Sequence, residues 1–147
     1  MKLFKSGNLI FSSFLIILII ACIFVILFIT FSPDKGERFT EFYILGPNGK
    51  AEDYPTEIKV DEKAFVKLGI INRELVTTEY HIEIYIDSLI NNTMEPISLD
   101  NNVKWEDNMS FTPDKIGKDQ KVEFLLYRNQ QSEPYLELYI LIDVVAK

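Results

Sequence analysis

The pattern of hydrophobic and polar positions divides the 147-residue chain into two parts. Residues 9–31, from Leu9 to Phe31, carry no charged side chain and only three hydroxyl side chains, so they are apolar on every side. At about 1.5 Å per residue, a helix of that length covers about 34 Å, slightly more than the ~30 Å hydrocarbon core of a bilayer. The pattern therefore predicts a transmembrane helix over 9–31 that follows a short N-terminal segment, residues 1–8.

The charges on either side of this segment predict its orientation. Lys2, Lys5 and the α-amino group precede it, whereas the charges of the polar linker, residues 32–38, cancel one another. The positive-inside rule then places the N-terminus in the cytoplasm and the C-terminal domain outside the cell. We expect a single-pass signal anchor in the cell membrane, in contact with the lipid bilayer from Leu9 to Phe31.

Two processing alternatives stay open. A signal peptide would be cleaved after a shorter apolar core and a small-residue site, and neither is present here. The residues Ile19-Ile20-Ala21-Cys22 resemble a bacterial lipobox, with Cys22 as the lipidated position, but the residues after Cys22 remain apolar up to Phe31. An uncleaved anchor with Cys22 as a small helix residue is therefore the prediction.

After the linker, the pattern changes to alternation of apolar and polar residues, which is typical of half-buried strands. Turn residues, such as the sequence Gly46-Pro47-Asn48-Gly49, separate the alternating runs. About seven strands are predicted, at residues 39–45, 57–60, 64–71, 80–86, 95–107, 121–128 and 135–145. Each half-apolar sheet must cover its face with another, so the expected fold of residues 39–147 is an all-β, immunoglobulin-like antiparallel β-sandwich.

Composition and charge exclude several classes of function. All 22 acidic residues lie at or after Asp34, and the chain has a net charge of −7, so the outer domain lacks the basic surface that nucleic-acid binding requires. One cysteine excludes an intramolecular disulfide, and one cysteine with one histidine excludes a zinc site built from those ligands. We expect no nucleic-acid partner and no cofactor.

Catalytic groups are equally sparse in the sequence. His81 is the only histidine, and it lies on a predicted strand among acidic residues, where a solvent-facing role is expected. Glycoside cleavage needs two carboxyl groups that face each other across a cleft, whereas the paired carboxylates of this sequence fall in predicted turns. The Asp100–Asn108 region supplies hard oxygen ligands of the kind that Ca²⁺ binds, but without the spacing of a helix-loop-helix site, so a bound cation is left open. We predict no catalytic residue and no metal ligand.

Two sequons and one apolar surface are the candidate sites. Asn91-Asn92-Thr93 and Asn108-Met109-Ser110 fall in predicted loops of the outer domain, so Asn91 and Asn108 are candidate N-glycosylation sites. The outward rows of the last two strands form a predicted interaction patch, because aromatic and aliphatic side chains that neighbour one another on an exposed face often bind a partner. The patch residues are Leu125, Tyr127, Tyr135, Tyr139 and Leu141.

Three blocks of the outer domain carry a family resemblance. They are FTEFYILGPNGKAEDYPTEIKV (39–60), the Asn72-Arg73-Glu74 turn before residues 80–85, and QKVEFLLYRNQQSEPYLELYILIDV (120–144). Together they resemble the extracytoplasmic β domain of a family of integral membrane proteins found mainly in archaea, especially methanogens. Many relatives carry several membrane helices before this domain, and one is expected here. The resemblance implies a location and a fold, and it leaves the function open.

Two functions from different classes follow from these observations. The first is a non-catalytic, membrane-anchored surface protein that presents the β-sandwich to another envelope or membrane protein. The alternative is an accessory subunit of a membrane enzyme complex that acts on cell-envelope glycans. The sequence favours the first, and it leaves the partner and the oligomeric state open.

Overall fold

The structure, a computed structural model, describes residues 4–31 and 36–147. Residues 1–3 of the predicted N-terminal segment and residues 32–35 of the predicted linker lie outside the described residues. The chain forms two compact units, Met1–Gly36 and Glu37–Lys147, and each is described by itself.

The first unit contains one helix, α1 (Phe4–Phe31), which begins five residues before the predicted span. From Phe11 to Phe31 it is long and apolar enough to cross a membrane, and its side chains are exposed within the unit. The hydroxyl of Thr30 donates to the carbonyl oxygen of Ile26 at 2.8 Å, so this polar group has a partner inside the helix itself. By length and composition α1 fits a membrane anchor, and a signal sequence near an N-terminus shares those properties.

The second unit is built from strands, and the described residues contain nine of them. In chain order these are β1 (Phe39–Leu45), β2 (Glu57–Lys59), β3 (Ala64–Arg73), β4 (Thr78–Ile86), β5 (Leu89–Thr93), β6 (Ile97–Leu99), β7 (Lys104–Phe111), β8 (Gly117–Arg128) and β9 (Leu136–Val145). The smaller sheet has the order β1-β3-β7; the larger has the order β2-β9-β8-β4-β5, with β6 also paired to β4. All pairs are antiparallel except β2 with β9. The predicted all-β, immunoglobulin-like fold is confirmed.

The core lies between the two sheets and follows the predicted alternation. Inward residues of β3, β4 and β8 are fully buried, among them Leu68, Ile84 and Phe124. The rings of Phe111 and Phe124 meet edge to face, with centroids 6.2 Å apart, which is a favourable aromatic geometry across the two sheets. Buried aliphatic and aromatic area of this kind is the main stabilising contribution to a domain without disulfides.

The structure corrects the strand count between β4 and β7. The sequence predicted about seven strands and one weak strand over 95–107; instead, β5 precedes that stretch, and the stretch itself contains β6 and the first part of β7. Four of the five residues of β5 are exposed, so it shows no inward alternation. Asp87 and Ser88 form the tight connection from β4, with φ values of 46° and 68°. Two consecutive positive φ values suit a two-residue hairpin turn, but Asp-Ser is a weaker sequence signal for it than Asn-Gly.

The predicted turn after β1 is confirmed, with one difference in detail. The amide of Gly46 donates to the carbonyl of Lys50 at 2.7 Å, and the amide of Gly49 donates to the carbonyl of Gly46 at 2.9 Å. Asparagine and glycine both tolerate a positive φ, so the sequence offers Asn48 and Gly49 for it. In the structure Gly49 takes the positive φ, 74°, and Asn48 does not. A Cβ atom at Gly46 would lie 2.0 Å from the carbonyl oxygen of Glu52, so only glycine fits at this position.

Candidate functional site: the outer face of the larger sheet

The outer face of the larger sheet is formed by alternate residues of β4, β8 and β9. Because side chains alternate between the faces of a strand, the residues between the buried ones point outward. Across the sheet, Tyr85 lies opposite Glu123, and Glu123 lies opposite Tyr139. In the next row Glu83, Leu125 and Glu137 are neighbours. The face thus combines carboxylates with aromatic and aliphatic side chains.

Tyr139 and Leu141 are the most exposed members of the predicted patch. Their exposed fractions are 59% and 49%, and both lie on the outward row of β9. The ammonium group of Lys121 lies 5.0 Å from the centroid of the Tyr139 ring, within the range of a cation–π contact. Lys121 also pairs with Glu137 at 3.2 Å, which fixes its position beside the ring. Tyr139 and Leu141 therefore form an exposed apolar pair with a charged border.

Leu125 and Tyr127 are less accessible than the pattern indicates. Leu125 is half-buried between its neighbours, and Tyr127 is only 9% exposed. His81 covers Tyr127, with the two rings stacked at 4.7 Å and an interplanar angle of 5°. Burial, together with a hydrogen bond to the Glu83 carboxylate, raises the pKa of Tyr127 to about 12. Tyr127 is therefore a neutral packing residue of this face at physiological pH.

Tyr135 departs from the placement that strict alternation predicts. It precedes β9, which begins at Leu136, and its amide donates to the carbonyl of Leu126 at 2.7 Å. Its hydroxyl donates to Oε1 of Glu74 at 2.9 Å, and the guanidinium of Arg128 lies 4.0 Å from its ring centroid. The structure thus brings Tyr139 and Leu141 together, and it assigns Tyr135 to a separate cluster.

That separate cluster is polar and largely buried, and sequence reasoning did not identify it. Oε1 of Glu74 accepts hydrogen bonds from Thr40 at 2.8 Å and from Tyr135, and it pairs with Nη1 of Arg128 at 2.9 Å. Thr40 also shares a hydrogen bond of 2.7 Å with the hydroxyl of Tyr80. Burial alone would raise the pKa of Glu74, but the Thr40, Tyr135 and Arg128 donors outweigh it and hold that pKa below its ordinary value. Glu74 is therefore a buried carboxylate kept ionised by its neighbours.

Asn72 closes the turn that carries Glu74. Its side-chain amide donates to the carbonyl oxygens of Val76 and Leu99, at 2.8 and 2.7 Å, and its Oδ1 accepts from the amide of Glu74 at 2.8 Å. Asn72 is fully buried, so these bonds satisfy polar groups that water cannot reach. This network fixes the backbone from which the Glu74 carboxylate projects.

The two sequons lie in strands, and the prediction that they occupy loops is wrong. Asn91 is in β5, and Asn108 is in β7. The side chain of Asn91 makes two hydrogen bonds with the backbone of Thr112, at 2.8 and 2.9 Å. Within the described residues, the structure gives the side chain of Asn108 no hydrogen-bond partner. Glycosylation stays a prediction for both sequons. Of the two asparagines, Asn108 is the one whose side-chain amide is not already hydrogen-bonded within the described residues.

The oxygen-rich stretch around residues 100–108 does not form one loop. Asp100 and Asn101 accept hydrogen bonds from Thr77 and from the amide of Leu75, at 2.6 and 3.2 Å. Glu106 belongs to β7 and accepts from Tyr43 at 2.7 Å. In the part of the chain that the structure describes, no three His, Cys, Asp or Glu side chains form a group that could hold a metal ion. Asp100 and Asn101 thus connect to the 74–77 turn, and Glu106 connects β7 to β1 within the smaller sheet.

Solved structures with a similar fold include an archaeal domain. The crystal structure of the CARDB domain of the PF1109 protein from Pyrococcus furiosus has a TM-score of 0.52 and 13% identity, over 74% of this chain and 89% of that one. The solution structure of the same domain gives a TM-score of 0.52 and 15% identity, over 76% of this chain and all of that one. A β-glucosidase from Listeria innocua is similar over 16% of its length, with a TM-score of 0.48 and 12% identity, too partial to inform on activity.

Family membership is established by sequence rather than by fold. No curated protein matches the chain. A family model matches residues 33–143, which include all nine strands except the end of β9. The resemblance to a family without an assigned activity is thereby supported, while archaeal origin stays an expectation. The chain belongs to the family described as Domain of unknown function (DUF1616).

Proposed function

We propose that this protein is a non-catalytic, membrane-anchored surface protein that binds another envelope protein through the outer face of its larger sheet. The observation that carries the proposal is the exposed pair Tyr139 and Leu141. Tyrosine is enriched among the residues that dominate binding energy in protein–protein interfaces, and the buried centre of an interface is more apolar than the surrounding surface.

The surroundings of this pair also suit a binding surface. Tyr139 and Leu141 lie within β9, which is paired along most of its length with β8, so their backbone is already ordered before a partner arrives. The backbone therefore loses little conformational entropy when a partner binds. Lys121, Glu123 and Glu137 surround the pair and supply the polar border that binding surfaces commonly have.

The anchor is the second part of the proposal. We infer that α1 stays in the mature protein, with the N-terminus in the cytoplasm and Glu37–Lys147 outside the cell. The length and apolar composition of α1 support a membrane span. Lys2 and Lys5 before the span support this orientation.

The Pyrococcus furiosus domain is described as a complex with di-metal ions. The proposal for this chain does not include a metal site. Within residues 4–31 and 36–147, which the structure describes, no three His, Cys, Asp or Glu side chains form a group that could hold a metal ion.

Substituting Tyr139→Glu should abolish capture of the partner without unfolding the domain. The substitution introduces a third carboxylate beside Lys121, whose ammonium group already pairs with Glu123 and Glu137, and the partner would have to desolvate this extra negative charge at the centre of the proposed contact. We expect at least about a tenfold loss of affinity, the equivalent of about 1.4 kcal/mol. The measurement is recovery of the partner with affinity-tagged full-length protein from native membranes, with circular dichroism to monitor the fold.

Phe65→Glu is the matched control. Phe65 is 48% exposed on the outer face of the smaller sheet, so the control places the same charge at a similarly exposed aromatic position. The proposal requires that Phe65→Glu keeps the partner. Equal recovery of the partner with Tyr139→Glu and Phe65→Glu would show that this face is not the binding surface. Global unfolding of Tyr139→Glu would contradict the premise that Tyr139 is a free surface residue.

A further inference from the structure

A cleft with a volume of about 450 Å³ opens beside the buried polar cluster, away from the outer face that carries Tyr139. It is lined by charged and polar side chains, chiefly Arg38, Glu74, Thr78, Arg128, Asn129 and Tyr135. Two of these are guanidinium groups, and one is a carboxylate. The cleft therefore has an excess of positive charge, although the chain as a whole has a net charge of −7.

The position of Arg128 is fixed by its neighbours, but the protein does not use all of its N–H donors. Its Nη1 pairs with Glu74 at 2.9 Å, and its Cζ lies 4.0 Å from the centroid of the Tyr135 ring, within the range of a cation–π contact. Its Nε is buried and has no hydrogen-bond partner among the described residues. An arginine carries five N–H donors in a fixed fork that suits two oxygens of one anion. Because Nε is inaccessible, an anion in the cleft can be bound only through the Nη groups, of which Glu74 engages one.

Arg38 supplies the second positive charge. It lies directly before β1, is exposed, and has no ion-pair partner in the described residues. Glu74 neutralises one guanidinium of the cleft, so the charge of the other is left uncompensated within it. Asn129 adds an uncharged side-chain amide to the wall, whereas the hydroxyl of the buried Thr78 already donates to the carbonyl oxygen of Val76 at 3.2 Å. This combination of fixed and free arginines with a neutral amide donor is the chemistry of an oxyanion site.

We propose that this cleft binds an oxyanion group, a carboxylate or a phosphate, carried by a small polar ligand. Arg128 provides the positioned donors, because Glu74 and Tyr135 fix its plane. Arg38, which also lines the cleft, provides the second cation. The site is independent of the protein-binding face, since it shares no residue with the Tyr139 and Leu141 pair.

The test uses the full-length chain in neutral detergent micelles, with amide chemical shifts followed by NMR at constant ionic strength. Sodium glucuronate and inorganic phosphate are the two probes, and glucose is the neutral comparison. We expect saturable shifts at Thr78 and Asn129 with at least one anion and none with glucose. Arg38→Gln should weaken that binding about tenfold, since it removes one charge-assisted contact while leaving the buried cluster intact.

Lys118→Gln is the charge-matched control, because Lys118 is exposed on β8 and does not line the cleft. Retained affinity in this variant, together with the loss in Arg38→Gln, supports the proposal. The probe that binds with the higher affinity, glucuronate or phosphate, then shows whether the cleft prefers a carboxylate or a phosphate. Absence of saturable shifts with both anions, equal binding of glucose, or equal weakening by the two substitutions would overturn it.

Discussion

Replacing Glu74 with alanine should lower the free energy of unfolding by about 3 kcal/mol, in the range found when one partner of a buried ion pair is removed. The side chain of Glu74 is 6% exposed, and it accepts from Thr40, Tyr135 and Arg128. Without it, a guanidinium that is 25% exposed loses its carboxylate, and two hydroxyl groups lose their acceptor. Denaturant unfolding of the full-length protein in detergent, followed by the fluorescence of the single tryptophan, measures the change.

Glu74→Gln is the matched control for this prediction. It keeps the volume and one acceptor oxygen but removes the charge, so we expect a smaller loss than for alanine. The pKa of Glu74 is lowered in the folded state, so its contribution is present above its unfolded pKa, about 4.3, and is lost as the pH falls through the folded value. The glutamine variant should lack that part of the acid dependence. Parent-like stability of Glu74→Ala would show that the cluster does not stabilise the fold.

Gly69→Ala should cost about 2 kcal/mol, because the new methyl group would meet a ring. A Cβ atom at position 69 would lie 2.2 Å from Cζ of Tyr43, whose ring covers the glycine from the neighbouring strand. The ring must leave, and with it the hydrogen bond from the Tyr43 hydroxyl to Glu106, which measures 2.7 Å. Denaturant unfolding measures the loss, and a double-mutant cycle with Tyr43→Ala separates its causes.

In that cycle, Gly69→Ala should cost far less once residue 43 is alanine, since no ring remains to be displaced. A glycine in a strand interior is itself unfavourable, so the added methyl group could even stabilise the Tyr43→Ala protein. Tyr43→Phe isolates the hydrogen bond from the packing of the ring. If Gly69→Ala costs the same in both backgrounds, the backbone at position 69 rather than Tyr43 excludes the side chain.

Much of the fold follows from the period-2 pattern. The residues that alternation predicts to face inward on β3, β4 and β8, such as Val66, Ile82 and Val122, are fully buried. This agreement has a physical basis, since the faces of a strand are fixed by the backbone and an apolar row must be covered by a second sheet. β5 was missed because it is exposed along most of its length and has no apolar row.

The candidate site was only partly predictable, because alternation specifies a face and not what covers it. Tyr127 lies on the expected row, but His81 from the neighbouring strand stacks on it. Tyr135 lies just outside β9, where the alternation does not apply. The Glu74 cluster joins residues that are 34 and 61 positions apart in the chain, and no local pattern reports contacts at such separations.

Labelling of intact cells with a membrane-impermeant maleimide tests the proposed orientation and the proposed binding face in one experiment. Two full-length variants, Leu141→Cys and Phe65→Cys, are each made in a Cys22→Ser background, and the two positions are 49% and 48% exposed in the isolated chain. We expect labelling at position 65 in intact cells, and protection at position 141 that ends when detergent releases the partner. Labelling of neither position before the cells are opened would contradict the outward orientation, and equal labelling of both would contradict the proposed binding face.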